Sequence, residues 1–429
     1  MPIDTVLPDV LGALDERPNL VLRAATGAGK TTRVPPALAD RLDGQIVVLE
    51  PRRVAARAAA RRIAEERRWR LGEEVGYHIR FDRKASARTR VLVVTEGMLV
   101  QRLQADPFLD GVAAIVFDEL HERNLQGDLS LAMARKVQRE VRDDLRLIAM
   151  SATLDPSPLV DFLGGKGACS HLESDGRLFP VEVEYLPAPD ARALPVLVRQ
   201  AVESLIERTD GGMLVFLPGV GEIRRSKEML EPIAARHDLA LWELYGDLPP
   251  ERQDAALAHG DRRKIVLATN VAETSVTVDG ITAVIDSGLA RTLRFDPALG
   301  LDRLDLGRIS RASAEQRKGR AGRQAPGLCL RLWTEHDDRS LPERDTPEIR
   351  RLDLTGPTLE LRAWGEADPS AFPWFEAPEP APLDRAERLL RDLGAVEEGG
   401  SLTVEGRALA RLPLHPRLGR LVLDGHRRG

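Results

Sequence analysis

The most chemically informative residues of this 429-residue sequence lie in a glycine-rich segment, AATGAGKT, at 24–31. Its glycines let backbone N–H groups close around phosphate oxygens at a helix N-terminus, Lys30 supplies positive charge, and Thr31 offers a hydroxyl to Mg²⁺. Ala24 stands where the strict pattern has glycine, so the segment alone leaves open an accidental strand-to-helix turn. The predicted nucleotide contacts are Thr26, Gly27, Ala28, Gly29, Lys30, Thr31 and Thr32.

Two adjacent acids, Asp118 and Glu119, directly follow the apolar run 112–117. Acids at such a strand end are often only solvated turn formers. With a phosphate-binding loop earlier in the chain, however, this position lets a carboxylate face the metal across the sheet. We therefore predict that Thr31 is a Mg²⁺ ligand, that Asp118 holds the ion through a water molecule, and that Glu119 is the general base that polarises the attacking water.

A third segment, QRKGRAGR at 316–323, carries an amide and several cations. In a helix, Gln316, Arg320 and Arg323 would share a face, because spacings of four and three bring side chains together. The alternative is a solvated basic helix start. A phosphoryl-transfer site needs cations on the γ-phosphate, where an arginine finger raises the rate by about 10³ to 10⁵. Since the first half of the chain has no obvious finger, we predict that Arg320 and Arg323 supply it.

Short β-rich runs alternate with helical stretches through both halves of the chain, which predicts parallel sheets with helices on both faces. A Gly/Pro-rich passage at 164–189 separates the two series, and we place the boundary near residue 175. Within 291–310, alternating residues around a Pro/Gly turn predict a β-hairpin. The predicted strands are 20–24, 46–49, 91–94, 112–117, 145–150, 213–217, 265–268 and 283–285.

The residues after Gly327 predict a smaller, mainly helical region, because short helical segments there are broken by prolines. One helix is predicted over 385–393. The final residues begin a helix without an obvious cap, so we expect the chain to be a truncated piece.

Composition narrows the class of protein. Every apolar run is far shorter than the roughly 20 residues that span a bilayer, and no secretory signal is visible, so we expect a cytoplasmic protein without membrane contact. Only Cys169 and Cys329 are present, which argues against a disulfide framework or a cysteine-based metal site. The net charge of -5 provides no global basic field, so any nucleic-acid contact must be local.

Taken in order, the three segments resemble the motifs of superfamily 2 helicases, and DELH at 118–121 with QRKGRAGR resembles their DEAH (DEAH/RHA) branch. Two further segments, FLPGVGEI and LPLHPRLGRL, are most similar to the bacterial HrpB-type proteins. The resemblance covers nearly the whole chain. Other segments that match the family are EPRRVAAR at 50–57, TEG at 95–97, SAT at 151–153, FLPGVGEI at 216–223 and ATNVAETSVTVDGI at 268–281.

This resemblance implies an α/β fold of two tandem RecA-like parallel-sheet lobes, 1–175 and 176–335. A winged-helix-like domain at 336–400 and the start of a helical ratchet-type domain at 401–429 would follow. The resemblance also implies that ATP and Mg²⁺ bind between the lobes.

Further roles are implied for individual residues. Gln316 would position the water, and Asp279 would reach the ribose. Arg62 would stack on the base opposite an aromatic residue, but Leu257 stands at that aromatic position, so we expect other NTPs to be accepted beside ATP. Residues expected to couple hydrolysis to movement are His121, Ser151 and Thr153. Residues expected along the backbone of a single strand are Arg52, Arg53, Thr95, Gly97, Thr269 and Asn270.

The activity that the resemblance implies is that of an ATP-dependent helicase acting as a monomer. It would move 3′ to 5′ along a single strand of RNA or DNA, with RNA favoured. Two alternatives stay open: a remodelling translocase that does not separate strands, and an ATP-gated RNA-binding scaffold.

Overall fold

The structure is a computed structural model that describes residues 1–25, 27–152, 155–174, 176, 179–274 and 276–428. Thr26 and Thr153, both predicted site residues, lie outside this range. Two separate sheets form the body of the described chain, and a small hairpin joins them to a helical C-terminal region.

The first sheet has the strand order β4-β3-β5-β2-β6-β7-β1-β8, and every pairing is parallel except that of β3 with β4. Its inner strands are continuous apolar runs, because helices cover both faces and bury side chains on either side. The strands are β1 (Asn19–Ala24), β2 (Gln45–Glu50), β3 (Val75–Ile79), β4 (Asp82–Lys84), β5 (Val91–Thr95), β6 (Val112–Phe117), β7 (Arg146–Ser151) and β8 (Cys169–Ser174).

Two apolar clusters, one on each face, hold the helices to this sheet. Helices α1 to α3 pack on one face and α4 to α6 on the other. The helices are α1 (Leu7–Glu16), α2 (Lys30–Arg41), α3 (Arg53–Arg67), α4 (Glu96–Ala105), α5 (Leu125–Glu140) and α6 (Ser157–Phe162). Short 3₁₀ turns cover Pro2–Thr5 and Leu120–Glu122.

The second sheet is entirely parallel, with the order β11-β12-β10-β13-β16-β9. Its strands are β9 (Val181–Tyr185), β10 (Gly212–Phe216), β11 (Ala240–Leu244), β12 (Lys264–Ala268), β13 (Ile281–Asp286) and β16 (Gly327–Arg331). Its helices are α7 (Leu194–Ile206), α8 (Val220–Arg236), α9 (Pro250–Leu257) and α10 (Arg311–Lys318), with a 3₁₀ turn at Asn270–Ala272. The fold class predicted from the sequence, two α/β lobes with parallel sheets, is confirmed.

The predicted hairpin is confirmed as β14 (Leu289–Asp296) paired antiparallel with β15 (Leu301–Arg308). It leaves the second sheet and contacts the C-terminal region. The Phe295 N–H donates to the Arg351 carbonyl at 2.8 Å, and the Arg385 guanidinium lies 5.2 Å from the Phe295 ring centroid.

The C-terminal region is mainly helical, as predicted, and packs against the first lobe. The Gln126 side chain donates to the Glu360 carboxylate at 2.9 Å, and the Phe162 and Phe375 rings meet edge to face at 5.3 Å. Its helices are α11 (Glu335–Arg339), α12 (Thr355–Trp364), α13 (Pro380–Asp392), α14 (Val404–Ala410) and α15 (Pro416–Arg428), with a 3₁₀ turn at Glu348–Arg350. The domain boundaries at 175, 335 and 400 stay predictions.

Within the described part of the chain, every helix is too short or too polar to cross a bilayer.

Candidate functional site

The glycine-rich segment forms a tight turn between β1 and α2. Gly27 and Gly29 have φ angles of 87° and 93°, a left-handed conformation that favours glycine. Lys30 and Thr31 are the first residues of α2, directly after this turn. At a helix N-terminus, free backbone N–H groups and the helix dipole attract anions. Lys30 is 3% exposed, so its charge points inward rather than into solvent.

The two predicted acids meet this turn at the end of β6. The Lys30 ammonium lies 2.9 Å from Glu119 Oε1 and 3.8 Å from Asp118 Oδ1. The Thr31 hydroxyl donates to Asp118 Oδ2. Glu119 adopts φ 53°, which is unusual for a residue with a Cβ and turns its carboxylate back toward the loop. The structure thus brings together all four groups that the sequence predicted for phosphate and metal chemistry.

Burial and neighbouring charges separate the pKa values of the two acids. Burial raises the pKa of Asp118 to about 6, although Lys30 opposes the change. Burial also acts on Glu119, but Lys30, His121 and Arg320 outweigh it and lower the pKa of that carboxyl to about 2. Glu119 is therefore ionised at neutral pH, as a general base must be.

Residues of the second lobe close this site from the opposite side. The Gln316 side chain hydrogen-bonds to Nε2 of His121, which lies 3.4 Å from Glu119 Oε2. The Arg323 side chain covers the glycine turn so closely that a Cβ on Gly27 would lie 3.6 Å from Arg323 Nε. Both halves of the chain therefore contribute to one cleft.

Among the described residues, the two predicted arginine fingers form no ion pair with a carboxylate. The Arg320 guanidinium donates to the backbone carbonyls of Glu273, at 2.9 Å, and Val276. Arg323 donates to the Thr277 hydroxyl at 2.7 Å, and its buried Nε has no hydrogen-bond partner among the described residues. Burial lowers the pKa of both groups, that of Arg323 to about 10. An anion placed between them would relieve this cost.

The local structure of this segment corrects one prediction. The helix face that was to align Gln316, Arg320 and Arg323 is wrong, because α10 ends at Lys318. The C-cap residue of α10 is Gly319. Gly322 packs against the backbone of Phe179, whose carbonyl oxygen would lie 2.6 Å from any Cβ at that position. Arg320 and Arg323 reach the cleft from the turn that follows.

The residues predicted to grip a single strand lie at the carboxyl edges of the two sheets. Thr95 is the last residue of β5 and directly precedes α4. Gly97 lies in the first turn of α4, where a Cβ would meet nothing within 4 Å. Thr269 and Asn270 follow β12 in the second lobe. Arg53 is half-exposed at the start of α3, with Asp247 of the second lobe 3.5 Å away.

Arg52 differs from this group because two hydrogen bonds already hold its guanidinium to a carboxylate inside the protein. Its guanidinium donates to both carboxylate oxygens of Glu122, at 2.7 and 2.9 Å, and to the Thr274 hydroxyl of the second lobe. The structure therefore places Arg52 in a link between the lobes. Ser151 is buried at the end of β7, and the buried Nδ1 of His121 has no hydrogen-bond partner in the described chain.

The predicted base and ribose contacts face each other across the cleft. Arg62 is half-exposed and pairs with Glu66 at 2.6 Å. The hydrogen bond to Glu66 is the largest cause of the raised pKa of Arg62, and the nearby Asp279 carboxylate also raises it. Leu257 packs on the core of the second lobe, and its carbonyl accepts the Asp279 N–H at 3.2 Å.

Several contacts between the two lobes were not predicted from the sequence. Arg57 donates to the Gln253 side chain and Arg61 pairs with Asp254, so α3 contacts α9. The spacing of four between Arg53, Arg57 and Arg61 was the available signal. Arg317 was missed too: its buried guanidinium lies 2.8 Å from both Glu273 and Asp286, and it holds the second lobe together.

Three parts of the chain match described families. Residues 4–162 match the DEAD/DEAH box helicase family, 197–325 the helicase conserved C-terminal domain, and 386–414 the winged-helix helicase associated domain (HA2). The chain is 43% identical to the ATP-dependent RNA helicase HrpB of Escherichia coli (strain K12), over 99% of this chain and 52% of that protein. It is 36% identical to the probable ATP-dependent RNA helicase DHR2 of Saccharomyces cerevisiae, over 99% of this chain and 59% of that protein.

The fold agrees with a solved relative. The crystal structure of the Escherichia coli DEAH/RHA helicase HrpB matches with a TM-score of 0.91 and 43% identity, covering 99% of this chain and 54% of that one. This chain thus spans little more than half the length of these relatives. The ordered motifs, the two-lobed fold and these similarities agree: the chain is similar to the DEAD/DEAH box helicases and, along its whole length, to HrpB of Escherichia coli.

Proposed function

We propose that this chain hydrolyses ATP in the cleft between its lobes and uses the cycle to move along a single strand of RNA. The observation that carries the proposal is the position of Arg323, a second-lobe cation lying on the phosphate-binding turn at Gly27 of the first lobe. An arginine there neutralises charge on a transferred phosphoryl group only while the lobes are together. Hydrolysis therefore depends on closure of the cleft.

The residues present fit a nucleotide with Mg²⁺. The Thr31 hydroxyl and the Asp118 carboxylate already touch, and both are the oxygen ligands that Mg²⁺ prefers. When bound, the ion would neutralise phosphate charge. The Lys30 ammonium, which now contacts Glu119, is within reach of a phosphate bound on the glycine turn. Movement of the Lys30 ammonium from Glu119 to the phosphate would free Glu119 to take a proton from water. Gln316 would orient that water.

Coupling to movement follows from the links between the lobes. Loss of the γ-phosphate removes the anion that Arg320 and Arg323 share, so the lobes separate and the strand contacts at Thr269 and Asn270 shift relative to those at Thr95. RNA as the strand is supported by the names of the relatives, which are RNA helicases. Movement from 3′ to 5′ rests on the family resemblance.

A strand-displacement assay run beside a stimulated ATPase assay tests this proposal against its alternatives. A helicase separates a duplex with a single-stranded tail, whereas a remodelling translocase hydrolyses ATP without separating it. An RNA-binding scaffold binds and hardly turns over. ATPase rates with single- and double-stranded RNA and DNA identify the preferred strand, and tails placed at either end give the direction.

We expect Thr269→Ala and Arg53→Ala to weaken nucleic-acid affinity to the same degree for every base sequence, because phosphate contacts position a strand without reading it. Fluorescence anisotropy with homopolymeric single strands measures this. Arg199→Ala is the matched control, since that half-exposed arginine pairs with Glu203 on α7, away from the cleft. A loss confined to one base composition would contradict the assignment.

We also expect poor discrimination among ATP, GTP, CTP and UTP. The phosphate and metal contacts ignore the base, and Leu257 gives it an aliphatic rather than an aromatic surface opposite Arg62. Because stacking on an aromatic ring is worth about 1–3 kcal/mol per base and tolerates any base, Leu257→Phe should lower KM for all four nucleotides. Steady-state kinetics with each nucleotide checks this, and at least a hundredfold preference of the wild type for ATP would overturn it.

A further inference from the structure

A second concave site lies on the first lobe, away from the nucleotide cleft. It is an open cavity of about 450 Å³ between α4 and the strands β3 and β4. Its lining includes the basic side chains of His78, Arg83 and Arg102, the amide of Gln101, and apolar groups such as Leu92 and Met98. We call it the basic cavity.

No acid among the described residues forms an ion pair with the basic side chains of this cavity. Among the described residues, the side chains of Arg83 and His78 have no hydrogen-bond or ion-pair partner, and Arg102 donates to a neutral acceptor, Gln45 Oε1, at 2.6 Å. Burial lowers the pKa of Arg102; Asp106 opposes this effect and Arg83 adds to it. Burial and both arginines lower the pKa of His78. Arg83 and Arg102 therefore give the cavity positive charge that has no ion-pair partner among the described residues.

The cavity adjoins the predicted path of the strand. Thr95 and Gly97, two of the predicted backbone contacts, lie at the start of α4. The next residue, Met98, lines the cavity, and Arg102 and Ala105 follow at spacings of four and three on the same helix face. From Met98 to Ala105 the helix rises about 10 Å, so the cavity extends from the strand contacts away from the cleft.

We propose that the basic cavity binds a nucleotide of the single strand where the strand leaves the first lobe. Arg83 and Arg102 would bind its phosphate, and the base would lie on the apolar surface formed by Leu92 and Met98. Cations combined with an apolar surface suit a nucleotide better than an isolated inorganic anion, which would leave the apolar part of the lining without a partner. This inference rests on the proposed function, because it extends the path of the same strand.

The test is the dependence of affinity on strand length. The shortest labelled uridine oligonucleotide would be just long enough to reach the predicted contacts at the carboxyl edges of the two sheets. Longer oligonucleotides would be extended at the 5′ or the 3′ end. In the wild type we expect affinity to rise with extension at one end only. Arg83→Ala should remove that rise and leave binding of the shortest strand unchanged. The slope of log affinity against log salt should fall by about 0.7 for the extended strand.

Matched variants make the outcome specific. Arg88→Ala removes an exposed arginine of the same lobe that pairs with Glu73 outside the cavity, and it should leave the rise intact. Arg102→Gln is the second cavity variant and should reproduce Arg83→Ala. The assignment is overturned if Arg83→Ala weakens all lengths equally. It is also overturned if the variant loses only binding of free uridine monophosphate, which would assign the cavity to a free nucleotide. Failure of the shortest strand to bind wild type would instead count against the proposed function.

Discussion

Glu119→Gln should bind ATP and single-stranded RNA like the wild type yet hydrolyse ATP about 10² to 10⁴ times more slowly, the range that general-base catalysis contributes. The amide keeps the shape of the side chain, and its oxygen can still accept from the Lys30 ammonium, which now lies 2.9 Å from Glu119 Oε1. It cannot take a proton from water. Single-turnover hydrolysis beside nucleotide binding separates the two effects.

The control for this variant is Glu173→Gln, because Glu173 is a half-exposed acid of the same lobe that pairs with Arg23 away from the cleft. That change should leave turnover unaltered. Hydrolysis by Glu119→Gln within a few-fold of the wild type would remove Glu119 from the role of base. Some other group would then have to activate the water.

Arg323→Ala should lower RNA-stimulated turnover by about 10³ or more while changing ATP affinity for the first lobe only slightly. Arginine fingers act mainly on charge in the transition state, which forms in the closed cleft. Arg320→Ala should have a similar effect on turnover. Removal of Arg320 also removes its hydrogen bonds to the carbonyls of Glu273 and Val276, so Arg320→Lys is the milder companion.

Separate measurement of kcat and KM tests this prediction. Lys318→Ala is the control, because Lys318 belongs to the same segment but pairs with Glu315, outside the cleft. Its turnover should match the wild type. If Arg323→Ala raised KM and left kcat unchanged, Arg323 would contribute to ATP binding in the ground state and would not act as an arginine finger.

The strands that carry the site could be predicted from sequence because they are buried on both faces. Their apolar runs are continuous, and the predicted run at 112–117 coincides with β6. Edge strands such as β4 and β9 were missed. They are short and carry charged residues: β4 is DRK, and β9 alternates glutamates with apolar residues. Such sequences are also typical of loops.

The contents of the nucleotide site were predicted more completely than its geometry. The chemistry of a phosphate-binding loop and of paired acids depends on residue type and order along the chain. Residue type and order were therefore enough to predict Lys30, Asp118 and Glu119. The role of Arg52 depends on Glu122 and Thr274, which are distant in sequence and meet it only in the folded chain. The shared helix face of Arg320 and Arg323 failed for a related reason, because residue spacing does not show where a helix ends, and α10 ends at Lys318, before both arginines.

The most direct test of the two-lobed site is the initial rate of ATP hydrolysis by this chain, with and without single-stranded RNA, beside Glu119→Gln and Arg323→Ala. Each variant removes a group from a different lobe. We predict that RNA stimulates the wild type and that both variants lose nearly all of the stimulated rate. A stimulated rate that survives loss of either side chain would contradict a catalytic site built from both lobes.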